Sequence, residues 1–180
     1  VSETWRNLKL AYDYPSVFRS LLGISWMWFF GAVFLSQFPS FARDVLGGNE
    51  QVASLLLVVF SIGIAIGSLL CETLSHRHVE IGLVPVGAVG MTVFAWDLYL
   101  ATQGLSHAGG AFLSVGEFVE QPAHWRVMAD LALLAFSAGL YSVPMYALIQ
   151  LRAKPSHRAR IIAANNILNA LFMIVSSLAA

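Results

Sequence analysis

Few side chains in this sequence are able to do chemistry, and their spacing narrows what that chemistry is. None of the five histidines is followed five positions later by an aspartate, since those positions after His76, His78, His107, His124 and His157 hold Ile81, Leu83, Phe112, Ala129 and Ile162. The acid–base pair that such a spacing would supply is absent. His76-x-His78-x-Glu80 offers three groups able to bind a metal, but three ligands crowded into a short polar loop more often face water, and no metal is expected. There is no phosphate-cradling Gly-x-x-x-x-Gly-Lys and no Gly-x-Ser-x-Gly elbow. Cys71 is the single cysteine, so no internal disulfide or cysteine-rich metal site can form. No catalytic residue and no cofactor is expected.

The polar residues that stand out do so because of what surrounds them. Asp97 lies well inside an apolar run, where a carboxylate costs about 2.5 to 3.5 kcal/mol to insert into lipid at mid-helix. Its neighbours Trp96 and Tyr99 favour a place in an aromatic belt near the end of the run. Asn165, Asn166 and Asn169 are offset by three and four, which groups them on one side of a helix. Their amides need partners in lipid, so that side lines either a wet path or a helix–helix contact. Gln37, Tyr141, Tyr146 and Gln150 are weaker candidates of the same kind.

The elements that must position these residues are membrane spans. Charged residues make up 11% of the chain and hydrophobic ones 58%, with a mean hydropathy of +0.72; soluble domains carry about 25% charge. Uncharged runs of the length that crosses a bilayer, about 20 residues, recur along the chain. Residues 131–151 and 161–180 are two of them, separated by Arg152-Ala-Lys-Pro-Ser-His-Arg-Ala-Arg160. The expected fold is all-α, a polytopic membrane helix bundle. Its spans are expected at 20–42, 51–72, 81–103, 127–151 and 161–180, with cytoplasmic loops at 73–80 and 152–160.

Residues 1–19 mix Arg6, Lys9 and Arg19 with Trp5, Leu8, Tyr12 and Tyr14, the pattern of an interfacial amphipathic lead-in. The second span contains Gly63-Ile-Ala-Ile-Gly67, a small-residue ridge that admits a close neighbour. Pro85 with Gly82, Gly87 and Gly90 predicts a bent, closely packed third span. Residues 104–126 read as an exterior loop or a short surface helix, and Pro144 as a kink in the fourth span. Eight of the ten Lys/Arg fall on one side of this topology, leaving Arg43 and Arg126 on the other; the positive-inside rule makes the first side cytoplasmic. The first apolar run begins near residue 20 without a small-residue cleavage site, so the chain is expected to insert through its own spans. The net charge of zero hides an uneven distribution and says little about nucleic acid, but no basic, aromatic-laced patch suggests such a partner, and none is expected.

Several segments carry a family resemblance. Ile24-Ser-Trp-Met-Trp-Phe-Phe-Gly31, Gln37-Phe-Pro39, Asp44-Val-Leu-Gly-Gly48 and Ile62-Gly-Ile-Ala-Ile-Gly-Ser-Leu-Leu-Cys-Glu72 resemble the lysophospholipid-transporter branch of the major facilitator superfamily. Glu80-Ile-Gly-Leu-Val-Pro85, His157-Arg-Ala-Arg-Ile-Ile-Ala-Ala-Asn-Asn166 and Asn169-Ala-Leu-Phe172 are similar to the same branch. The resemblance implies helices seven to eleven of a twelve-helix fold, part of its C-terminal half, in a bacterial inner membrane. It also implies a membrane-lipid environment, a lysophospholipid substrate and a fused or associated acyltransferase as partner.

The superfamily's Gly-x-x-x-Asp-Arg-x-Gly-Arg-Arg loop corresponds to Gly67 through His78, where only Glu72 and Arg77 survive as a charge pair. Asn165, Asn166, Asn169 and Gln37 are the candidates for a polar path, and Trp26, Trp28 and Phe30 for an apolar flank. Arg158 and Arg160 are candidates to meet a phosphate, against the general role of such residues as positive-inside anchors. Two other functions remain open: a membrane anchor for an acyltransferase or acyl-ligase, and a generic small-molecule permease. An odd number of spans and an end within an apolar run suggest part of a larger protein.

Overall fold

A computed structural model describes residues 2–74, 80–105 and 110–179. The described residues form helices: α1 (Ser2–Tyr12), α2 (Pro15–Ser40), α3 (Glu50–Leu74), α4 (Leu83–Thr102), α5 (Val115–Glu120), α6 (Pro122–Arg152) and α7 (Arg158–Ala179). Five of them, α2, α3, α4, α6 and α7, are long and apolar enough to cross a membrane, and the chain is a multi-pass membrane protein. The expected loop between the third and fourth spans contains the short helix α5. It starts with a capping box in which the Ser114 side chain meets the Glu117 backbone and Glu117 returns to Ser114.

Helix α6 is the hub. Its most apolar stretch is 44% buried, against 11% for that of α4, because α3, α4 and α2 all pack on it. Contact with α3 is tight at the Gly63–Gly67 ridge: a Cβ on Gly67 would run into the Phe136 carbonyl, and one on Gly63 into the Ala132 carbonyl. Small residues thus let two backbones touch where dispersion contacts, rather than water, must hold helices together. Helix α4 leans on the other side of α6, with Gly87 and Gly90 against Ser137 and Tyr141. Pro85 falls in the first turn of α4, where the missing N–H has no helical partner to lose, so it does not supply the expected bend. Helix α7 packs against α2 and α1.

The end of α2 departs from regular helix for a local reason. Pro39 withholds a backbone donor and crowds the preceding turn, and the chain widens into a π-helical turn over Phe41–Val45, closed by the Leu46 N–H on the Phe41 carbonyl at 3.2 Å. Gly47 then takes φ +65°, a left-handed value open to glycine. Asn49 begins α3, its Oδ1 accepting from the N–H groups of Gln51 and Val52 at 2.9 and 3.1 Å. The Leu113 N–H donates to the Gly47 carbonyl at 2.8 Å and the Asn49 N–H to the Leu113 carbonyl at 3.0 Å. That short bridge straps the segment before α5 onto the α2–α3 turn.

Chain direction defines two ends of the bundle. The basic end holds α1, the α6–α7 turn and the starts of α2 and α4; the far end holds the α2–α3 turn, α5 and the start of α6.

Candidate functional site: a lateral groove and a polar seam

Helices α2 and α4 both lean on α6 and make few contacts with each other. A groove of about 240 Å³ lies between them, walled by Trp26, Met27 and Phe30 on one side and Ala88, Met91, Thr92 and Ala95 on the other, with Tyr141 of α6 completing the lining. Trp26 and Phe30 are one helical turn apart and so share a face. Further along α2 a smaller void of about 80 Å³ is lined by Phe34, Gln37, Phe38, Phe41 and Leu98. Phe30 stacks on Phe34 at 5.6 Å between ring centroids, and Phe34 meets Phe38 edge-on at 5.3 Å. The result is an aromatic rail running the length of the opening. Tyr141 is oriented by its own hydroxyl, which donates to the Gly23 carbonyl at 3.1 Å.

The structure divides the residues singled out from the sequence. Trp26 and Phe30 face the groove, and Gln37 borders the smaller void. Trp28 does not join them: its indole N–H donates to the Tyr146 hydroxyl at 3.0 Å, tying α2 to α6 instead. Two residues on from Trp26 is a rotation of about 200° around a helix, which explains the separation.

The asparagines divide as well. Asn169 Oδ1 accepts from the Ser25 hydroxyl at 2.9 Å, across the α2–α7 contact. Asn165 is buried, with Oδ1 unpartnered. Asn166 is exposed, because it lies about 100° round the helix from Asn165 and about 60° from Asn169, past the edge of the face they turn to α2. The expectation that all three line one surface is corrected to Asn165 and Asn169 alone. Gln37 lies twelve residues beyond Ser25, about 18 Å along the helix, so it belongs to a separate place from the asparagines.

At the basic end the Tyr14 hydroxyl meets His157 Nδ1 at 3.0 Å. Arg158 Nε donates to the Ala153 carbonyl at 3.4 Å, which places it on the C-terminal carbonyls of α6, where a cation is favoured. Arg160 is exposed, as is Glu72 at the end of α3. Arg77, and with it the Glu72–Arg77 pairing, lies outside the described residues; so do His76 and His78 of the metal-ligand pattern. Among the described residues no three His, Cys, Asp or Glu side chains come together to hold a metal ion.

A charged group missed in the sequence sits at the far end between α4 and α6. Arg126 pairs with Asp97, Nη2 donating to Oδ1 and Nε lying 3.4 Å from Oδ2. Asp130, one turn further into α6, is 4% exposed. The sequence held a usable signal: Arg126 and Asp130 are four apart, on one face of a helix, and Asp97 was the acid in need of a partner.

No family model, curated protein or solved structure matches the chain.

Proposed function

We propose that this chain is the membrane part of a transporter of the major facilitator type that moves a lysophospholipid across a bacterial inner membrane. The α6–α7 turn then faces the cytoplasm, in keeping with its four basic residues. The observation that carries the reading is the aromatic groove between α2 and α4. Its volume of about 240 Å³ is below the roughly 300–1,000 Å³ of sites that enclose a whole drug-sized ligand. A groove of that size takes part of one acyl chain and has no room for two. Trp26 is 61% exposed and so is available to a lipid entering from the side.

The polar half of such a substrate needs hydrogen-bonding groups at mid-bundle, and the α2–α7 seam offers Ser25, Asn169 and the unpartnered Asn165. Alternating access would open and close the groove by moving α2 against α4, a step that breaks few contacts because these helices share few. No chemical step is assigned to the chain; an acyltransferase, fused or associated, would act on the lipid once it is delivered.

Quenching of tryptophan fluorescence by a bromine-labelled lysophospholipid in vesicles tests the reading. Quenching should saturate with the one-tailed lipid, be weaker with a two-tailed analogue, and fall in Trp26→Phe. Equal quenching by both lipids, unaffected by Trp26→Phe, would leave a membrane anchor as the better account.

A further inference from the structure

The lipid reading makes no use of Asp97, Arg126 and Asp130. Asp97 and Arg126 are partly exposed, their side chains at 37% and 54%, whereas Asp130 is buried and its Oδ2 has no hydrogen-bond partner. Asp97 is bonded to Arg126, which stands one turn from Asp130 on the same face of α6, so the two acids flank one guanidinium. Two carboxylates only accept, so acids flanking the same guanidinium can be joined to each other only through a proton. Charge counting gives the same answer: two acids and one guanidinium leave one negative charge uncompensated beside Val127, Leu131 and Leu134, which are essentially inaccessible to water. A buried charge in that position is costly unless it is paired or neutralised.

Among the described residues nothing else nearby supplies the missing positive charge. Helix α3 buries Val52, Leu56, Phe60, Gly63 and Gly67 along this part of its length, none of them titratable, with Glu50 at its start and Cys71 at the opposite end. From α5, Glu117 is held by Ser114, and Glu120 is exposed. His124 of α6 gives its Nδ1 to the Phe118 carbonyl at 2.8 Å and stacks on the Phe118 ring. Arg43, beyond α2, lies over the Phe112 ring at 5.3 Å. A metal ion would need more ligands than two acids, and none converge here among the described residues; a proton needs only two oxygens.

The geometry points to a proton-binding site at the far end of the α4–α6 contact, in which Asp97 and Asp130 hold one proton between them and exchange it with solvent along the exposed Asp97–Arg126 edge. Loss of the proton sets two carboxylates against each other across the two helices, with Arg126 alone bridging them. The α4–α6 contact, which forms one wall of the groove, thereby responds to the acidity of the far side. The site does not depend on what the groove carries.

Infrared spectroscopy of the purified protein at mildly acidic pH, above the range where ordinary carboxylates take up protons, reads the proton directly. The expected result is a protonated-carboxyl C=O stretch that shifts in D2O, disappears in Asp130→Asn and in Asp97→Asn, and persists in Glu117→Gln. Absence of the band from the unsubstituted protein, or its survival in both aspartate variants, overturns the site. Far-UV circular dichroism checks each variant, and should Asp130→Asn fail to fold, Asp97→Asn, at the exposed edge, decides alone. A band that behaves as expected in a protein that binds no lysophospholipid would sink the cargo and leave the proton site standing.

Discussion

Helix α6 meets α3 and flanks the α2–α4 opening with opposite results. On the α3 side glycines let the backbones touch, and there is no space between them. On the other side, Trp26, Phe30 and Phe34 stand between helices that scarcely meet, and a groove runs along them. The contrast teaches that side-chain size at the contact face, more than helix length or hydropathy, decides where an apolar bundle is closed and where it can admit a lipid. The helices also differ in bulk: α2 carries Trp26, Phe30, Phe34 and Phe38, whereas Phe60 is the single aromatic of α3.

The largest effect should come from filling the closed side. Gly67→Leu forces a side chain into the Phe136 carbonyl, an overpacking that costs typically about 1–3 kcal/mol even in cores able to adjust. Here the obstacle is backbone, and thermal unfolding in detergent should show a large drop in midpoint or loss of the folded protein. Filling the open side should do the reverse. Ala88→Trp should leave the unfolding midpoint within about 2 °C, in line with the small cost usual for substitutions that crowd nothing, while cutting lysophospholipid uptake several-fold in vesicles. If both substitutions destabilise equally, the groove is not an opening.

A smaller effect is expected at the polar seam. Ser25→Ala removes the hydroxyl donated to Asn169, and transmembrane hydrogen bonds of this kind average about 0.6 kcal/mol. Denaturant unfolding should register that much and little more; a loss several times greater would mean that the seam, not the glycine ridge, holds the bundle together. Smallest is the α5 cap, outside the spans. The backbone N–H and hydroxyl of Ser114 hold the Glu117 carboxyl below the usual carboxylate range. Its contribution is therefore present above the ordinary Glu value of about 4.3 and is lost as pH falls through the lowered folded-state value. Glu117→Gln should remove that acid dependence, read as protection of the α5 amides in hydrogen exchange, and leave uptake unchanged.

The five spans were legible because each is an apolar run long enough to need no tertiary information, and the Gly63–Gly67 ridge because its spacing alone implies a close neighbour. Partnerships were not legible. Asp97 and Arg126 are 29 residues apart on different helices, and flanking aromatics gave Asp97 a sufficient explanation without a partner. Asp130 was absorbed into a span that is otherwise apolar. Trp28 was grouped with Trp26 and Phe30 although it points away from both by nearly half a turn, and Asn166 with the other asparagines because its offset of three leaves it only about 60° from Asn169, past the edge of the buried face. The groove itself depends on which helices fail to meet, a property no single run records.

Leu113 is hydrogen-bonded to Gly47 and Asn49 through main-chain groups, and its side chain packs on the core cluster that holds Phe38, Leu98 and Phe118. That link gathers the ends of α2 and α3 and the approach to α5 and α6 into one clamped rim at the far end. A clamp at one end of a slot leaves the other end as the place of greatest travel. Parting of α2 from α4 should therefore pivot at this rim and gape widest beside the Tyr14–His157 contact.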